Sequence, residues 1–236
     1  MRGVRLGAAF AAAGIVLVAA AQDQVEGTNG VASTSVVTDV VTTEVASVTG
    51  EKPRLSAGAT AAELVDCCRA MVPADVEIAG RIVLRSRRGI VQAEYAYQLN
   101  RRAGETSLEV KDAAGHRLEF DREGSLLGTD VTWSDLTLDY LWWDEFGFDE
   151  TRESETVHGQ LCDVVVMKKA DRSVRVWVDR KTGAMMQAEE LKNGEAVRRL
   201  WGTRIKKFGD RWAPNVLEVE TLGSGHRTKI TVEKLK

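Results

Sequence analysis

The chain has 236 residues, of which 28% are charged and 44% hydrophobic, and its net charge is −3. A mildly acidic chain has no basic field to draw in a phosphate backbone, which excludes nucleic-acid binding as its main business. Beyond the first residues no stretch is apolar enough to span a bilayer, and the composition is that of an ordinary soluble globular domain.

The N-terminus reads MRGVRLGAAFAAAGIVLVAAAQDQ. Arg2 and Arg5 form a basic start, Leu6 to Val18 an apolar run and Ala19-Ala20-Ala21 a small-residue cleavage site, which is the layout of a signal peptide, residues 1–21. The apolar run is shorter than the ~20 residues of a spanning helix, so cleavage is expected rather than anchoring. No cysteine follows the site, so a lipid-anchored form of export is not expected. Residues 22–55 contain no aromatic and almost no large aliphatic side chain. Such a stretch cannot bury enough apolar surface to offset its ordering entropy and reads as a flexible tether, although its Val/Thr content would tolerate a strand. The folded domain is expected over 56–236.

SAGATAAELVDCCRAMVP predicts a helix, because Leu64, Cys67, Cys68 and Met71 recur at i, i+3, i+4 and i+7 and Pro73 stops it. From Val76 the period changes to two. VEIAGRIVLRS, GIVQAEYAYQLN, TSLEVKD and HRLEFDRE read as strands. Seven more follow the aromatic stretch: TRESETVHG, CDVVVMKK, SVRVWVDR, AMMQAEELK, AVRRLWGTRIKKF, APNVLEVETL and HRTKITVEKLK. Short turns such as Asn193-Gly194 favour an antiparallel meander. In VRVWVDR, Val174, Val176 and Val178 alternate with Arg175, Trp177 and Asp179, which predicts one dry face and one wet. About eleven strands with so few helices imply a mainly β (α+β) fold: a curved antiparallel sheet forming an open half-barrel, filled by the N-terminal amphipathic helix and a short helical stretch.

Three cysteines, Cys67, Cys68 and Cys162, leave an odd count. Cys67 and Cys68 are adjacent and cannot easily bridge each other. Either one of them pairs with Cys162, or all three are small buried hydrophobes. A metal site from these cysteines and His158 matches no ligand spacing, so neither metal nor cofactor is expected.

WSDLTLDYLWWDEFGF, from Trp133 to Phe148, holds six of the fourteen aromatic residues of the chain. Ser134 suits an N-cap with Asp135 in the first turn. Trp133, Leu136, Tyr140 and Trp143 then share one helical face and Leu138, Leu141 and Trp142 a second. Phe146 and Phe148 follow, Asp139 and Asp144 are left to water, and Gly147 ends the segment. A helix apolar over more than half its circumference is covered on two sides. It is either a core helix capping the sheet or a lid whose aromatics contact an apolar ligand. In the lid reading, Leu64, Cys68 and Met71 form the opposite wall.

This arrangement resembles the outer-membrane lipoprotein-sorting protein family (LolA-like). GTDVTWSDLTLDYL is similar to its lid segment, with Ser134-Asp135-Leu136. HGQLCDVVVMKK, with Gly159 and Cys162, is similar to its Gly-x-x-Cys strand. VRVWVDRKTGAMMQAEELKNGE carries the Trp-Val-Asp hairpin at Trp177, Val178 and Asp179, and FGDRWAPNVLEVETLGSGHRTKI, with Trp212 and Pro214, resembles the closing strands. The long tether and the Cys67-Cys68 doublet depart from that pattern. The resemblance implies a periplasmic monomer binding acyl chains of lipoproteins or another lipid, with an inner-membrane transporter or outer-membrane acceptor as partners. Relatives that sense envelope stress imply a different role, a protein–protein interaction module with no lipid cargo.

Catalysis is not expected. The three histidines, His116, His158 and His226, sit among charged residues near turns, and no nucleophile elbow, zinc-protease helix, phosphate loop or Cys-x-x-Cys is present. The many carboxylates read as solvated strand faces rather than an acid/base pair. Two geometries separate the remaining readings. A carrier needs an apolar cavity of several hundred Å³, whereas a docking module needs a filled core and an outward aromatic patch.

Overall fold

The computed structural model describes residues 58–236 except positions 74, 104, 123 and 153. The expected signal peptide and tether lie outside the described residues. Among the described residues no helix is long and apolar enough to cross a membrane.

The helix α1, Ala61–Met71, begins in a capping box. The Thr60 hydroxyl accepts from the Glu63 backbone N–H (3.3 Å), and the Glu63 carboxylate accepts from the Thr60 N–H (2.7 Å), so two donors that the helix leaves unpaired are satisfied. Its buried stripe is Leu64, Val65 and Cys68. The expected stripe ran through Cys67 and Met71, but both are only half-buried flanks. Val65 takes their place because it stands one turn before Cys68 on the same side of the helix.

Twelve strands build the sheet: β1 (Val76–Arg85), β2 (Val91–Arg102), β3 (Glu105–Lys111), β4 (Arg117–Leu118), β5 (Glu145–Phe148), β6 (Glu155–Val157), β7 (Gln160–Lys169), β8 (Arg172–Asp179), β9 (Met185–Lys192), β10 (Glu195–Phe208), β11 (Arg211–Thr221) and β12 (Arg227–Leu235). They form one antiparallel sheet in the order β4-β3-β2-β1-β12-β11-β10-β9-β8-β7-β5, with β6 pairing the first residues of β7. The sheet is an open half-barrel, as its pattern predicts. All eleven expected strands are present, although HRLEFDRE contributes only two residues as β4. The twelfth, β5, comes from inside the aromatic stretch, where Gly147 sits within the strand instead of ending the segment.

This order has a topological consequence. The chain starts mid-sheet at β1 and works outward to one edge, β4. It re-enters at the opposite edge, β5, and works back until β12 pairs β1. Residues 119–144 therefore connect the two free edges of a curled sheet, and the short path lies across its open mouth.

The curl has local causes. Register shifts interrupt the ladders at Ala79/Gly80, Leu84/Arg85, Trp177/Val178 and Ala196/Arg198, and each such bulge bends and twists its strand. At the first of them β12 passes so close to β1 that a Cβ on Gly80 would stand 1.8 Å from the Thr231 carbonyl oxygen.

Along β7–β9 both faces are dry. The inner face packs Val165, Met167, Val174, Val176, Val178 and Ala188 into the main core with α1. The outer face was expected to be wet, yet Arg175, Trp177 and Asp179 are all buried. Its cover is the connection from β5 to β6, whose polar groups pair with those of the strands. Arg175 Nε donates to Asp149 (2.5 Å) and Nη1 to Glu189 (3.4 Å), and Trp177 Nε1 donates to Glu155 (2.9 Å). Burial pushes the Asp149 carboxyl up, but hydrogen bonds from Thr151 and Arg175 outweigh it and hold the group below its ordinary value.

Candidate functional site

The segment that crosses the mouth is not the single helix expected. The helix α2 covers only Trp133–Thr137, Leu138 takes the left-handed conformation at φ 53°, and a 3-10 turn follows over Asp139–Trp142. The N-cap is Thr132 rather than Ser134. The Thr132 N–H and hydroxyl both donate to Asp135 (2.7 and 3.0 Å). The reversal at Leu138 folds the apolar side chains inward, so Leu136, Leu138, Tyr140, Leu141 and Trp143 are all almost fully buried. Trp133 and Trp142 are half-buried and pack on the same core. Phe146, on β5, also packs there, whereas Phe148 is 48% exposed and Asp144 is exposed. Asp139, expected in water, is half-buried with one carboxylate oxygen lacking a partner among the described residues.

This lid lies on α1 and the inner sheet face. Leu64 and Cys68 share its core, while Met71 packs instead on a smaller outer cluster with Cys162, Val164 and Trp177. The Tyr140 hydroxyl reaches the Met185 sulfur at 3.5 Å, and burial pushes its pKa well above the usual phenol value. The trough is filled by the lid itself. The space between them beside Tyr140, Val174 and Arg198 is about 20 Å³, far short of an open cargo cavity.

Four arginines tie the lid to the scaffold, a feature that sequence reasoning missed. Arg69 of α1 donates to the Leu141 carbonyl (2.7 Å) and the Trp143 carbonyl (3.4 Å). Arg101 of β2 donates to the Thr137 carbonyl (3.4 Å), and burial pushes its pKa down to about 10. Arg172 of β8 donates to the Ser134 hydroxyl (3.0 Å) and lies over the Trp143 ring at 5.0 Å. Arg198 of β10 donates to Asp135, to Glu190 (2.6 Å) and to the Asp130 carbonyl (2.7 Å). Burial alone would lower the Arg198 pKa, but Asp135 and Glu190 more than offset it. No local signal in the sequence sets these arginines apart from the other charged residues of their segments.

Of the two alternatives left open for the cysteines, no disulfide is formed. Cys67, Cys68 and Cys162 are free thiols. Cys68 faces the inner core and donates to the Gly183 carbonyl (3.1 Å), whereas Cys162 projects from the opposite face of β7, so the sheet separates them. Burial pushes both thiols up to about 12. Among the described residues no cluster of three or more His, Cys, Asp or Glu side chains is placed to hold a metal ion.

An open antiparallel half-barrel with a helix and a crossing lid defines a LolA-like fold. A LolA superfamily protein from Nitrosomonas europaea is 12% identical, with a TM-score of 0.58 over 76% of this chain and 94% of its own. A DUF1329 family protein from Desulfovibrio piger is 15% identical, with a TM-score of 0.53 over 74% of this chain and 90% of its own. The likeness in both cases is one of fold. A family model described as "-like: Uncharacterized protein" matches residues 116–236, just over half of the chain, and the chain belongs to that family. No curated protein matches it.

Proposed function

We propose that the protein is a non-enzymatic periplasmic carrier of lipid acyl chains, exported by cleavage after Ala21, with the lid as the reversible occupant of the cargo site. Lipoproteins on their way to the outer membrane fit as cargo, with an inner-membrane transporter to load and an outer-membrane acceptor to receive. The observation that carries the reading is the lid's own packing. Leu136, Leu138, Tyr140 and Leu141 occupy the trough as an acyl chain would, while polar anchors and not sheet pairing hold the lid in place.

The magnitudes suit a carrier. Three buried leucines contribute about 1.5–3 kcal/mol each, and a sixteen-carbon chain is worth about 12 kcal/mol before ordering costs. A chain that must displace the leucines keeps only the difference, less the cost of its own ordering. Such a ligand is held and still released.

Mass spectrometry of a lipid extract of the purified protein is the direct test, together with tryptophan emission on adding a fatty-acylated peptide. Bound lipid and a spectral shift are expected. The absence of both would leave the second reading, an envelope protein–protein module, which the filled core favours.

A further inference from the structure

The outer face of β10–β12 carries a feature that the carrier reading does not use. A cleft of about 790 Å³ is lined by Arg85, Arg87, Arg204, His226, Arg227 and Lys229, with Glu218 and Glu220 as its only carboxylates. Both carboxylates pair with Arg227, at 3.1 and 3.5 Å. Arg85, Arg87, Arg204 and Lys229 have no ion-pair partner among the described residues, and Arg85 Nε is buried without any hydrogen-bond partner. With five Arg or Lys side chains against two carboxylates, the lining of this opening carries a net charge of +3, on a chain whose net charge is −3.

Apolar residues flank the opening on two sides. Ile90 and Val91 follow Gly89 in the β1–β2 turn and are 63% and 48% exposed, and Ile205, next to Arg204, is 37% exposed. The β10–β11 hairpin runs RIKKFGDRW from Arg204 to Trp212, with four basic residues against Asp210 alone. Its pairing places Ile205 with Pro214 and Lys207 with Trp212 on the outer face, and β12 stops pairing β11 at Val216, so this end of the hairpin stands clear of β12. Trp212 is 42% exposed there. Thus, among the described residues, four of the six exposed large hydrophobic residues belong to the two segments that border the basic cleft.

A tryptophan beside lysines, on the hairpin that carries the unpaired Arg204, matches the interface of an anionic bilayer, where indole sits at headgroup level and basic side chains meet lipid phosphates. We infer that this face docks the protein on anionic phospholipid membranes: the cleft takes headgroup phosphates, and Trp212, Ile205 and Ile90 enter the interfacial layer. The lid lies on the inner face, so the protein would rest on the membrane by its back. The inference does not depend on what the trough carries.

Vesicle co-sedimentation of the full chain tests it, with phosphatidylcholine alone and with about a third phosphatidylglycerol. The wild type is expected to bind only the anionic vesicles. Arg204→Glu/Lys207→Glu is expected to lose at least about twentyfold in affinity, at about fivefold per charge. Lys181→Glu/Lys192→Glu, with the same change in net charge on exposed positions elsewhere, should lose less than about twofold. Trp212→Ser should reduce binding and any vesicle-induced emission shift without altering the thermal midpoint. Equal binding to both vesicles, no binding, or equal loss in the control pair would overturn the inference. Release by inorganic phosphate at constant ionic strength would make the cleft a free-anion site instead. Lipid co-purifying with the trough should be unchanged in all these variants, so a failure here and a failure of the carrier reading are distinguishable.

Discussion

The two faces of β7–β9 are both covered, by opposite means. On the inner face the cover is the lid, whose contact with the sheet is leucine, tyrosine and tryptophan on valine and methionine. On the outer face the cover is the β5–β6 connection, held by Asp149, Arg175, Glu189, Glu155 and Trp177 through directed hydrogen bonds. Apolar contact is non-directional, so another apolar body can replace it. A buried ion pair has no such substitute, because removing one partner strands the other. On the proposed carrier reading, one face is therefore suited to exchange and the other to permanence.

The sharpest way to break this comparison is Arg175→Ala. It leaves Asp149 buried without a counter-charge, whereas Glu189 keeps Arg199 at 2.8 Å, and should cost about 3 kcal/mol in chemical denaturation, with no gain in uptake of an acylated peptide. On the exchangeable face, Leu136→Ala should cost about 2–3 kcal/mol, at the low end for a buried leucine because one side of the site can relax. It should also raise acyl-peptide uptake, measured by fluorescence titration. An equal loss of stability and uptake would mean that the lid is simple core.

Arg198→Met separates anchoring from packing. Losing its charged hydrogen bonds to Asp135 and Glu190 should release the lid by about 2 kcal/mol. Amide exchange over residues 133–143 should then quicken about thirtyfold, while β8 and β9 stay protected.

Acid should act first on the hydrogen-bonded carboxylates in and around the β5–β6 connection. Asp149, Glu155 and Asp163 all have carboxyl pKa values held below their ordinary values: burial raises each, and hydrogen bonds from Thr151 and Arg175, from Trp177 and Arg152, and from Arg180 and Ser154 respectively more than offset it. A depressed folded-state pKa contributes stability that is present above the unfolded value and lost as pH falls through the folded one. Thermal midpoints measured from neutral pH downward should therefore fall below the usual carboxylate range, and less so in Asp163→Asn. The smallest effect concerns the thiols. Cys67, half-buried, should react first with a disulfide reagent at neutral pH, and Cys68 and Cys162 only on unfolding.

Much of the sheet was legible because strand period and turn chemistry are local. Val174, Val176 and Val178 point inward as their alternation requires. What was missed depends on contacts distant in sequence. Arg175 looks solvated until Asp149 and the connection after it meet its side chain, and Asp179 until the Lys181 N–H and the Thr182 hydroxyl of its own turn donate to it. EFGF forms β5 only because β7 offers Val165 to Lys168 as a partner. The aromatic stretch has helical spacing throughout, but the positive φ at Leu138 divides it, and nothing in a leucine announces that conformation. The arginines that fasten the lid come from α1, β2, β8 and β10, and only the folded topology assembles them.

The approach of β12 to β1 at Gly80 bears on how this chain tolerates change. Gly80 has an ordinary backbone conformation, and it is far in sequence from the lid. Any side chain there would collide with a carbonyl of the neighbouring strand, which belongs to the ladder and cannot step aside. In a saturation mutagenesis library selected for folded protein, position 80 should accept glycine alone, while its neighbour Arg81, exposed on the outer face, varies freely.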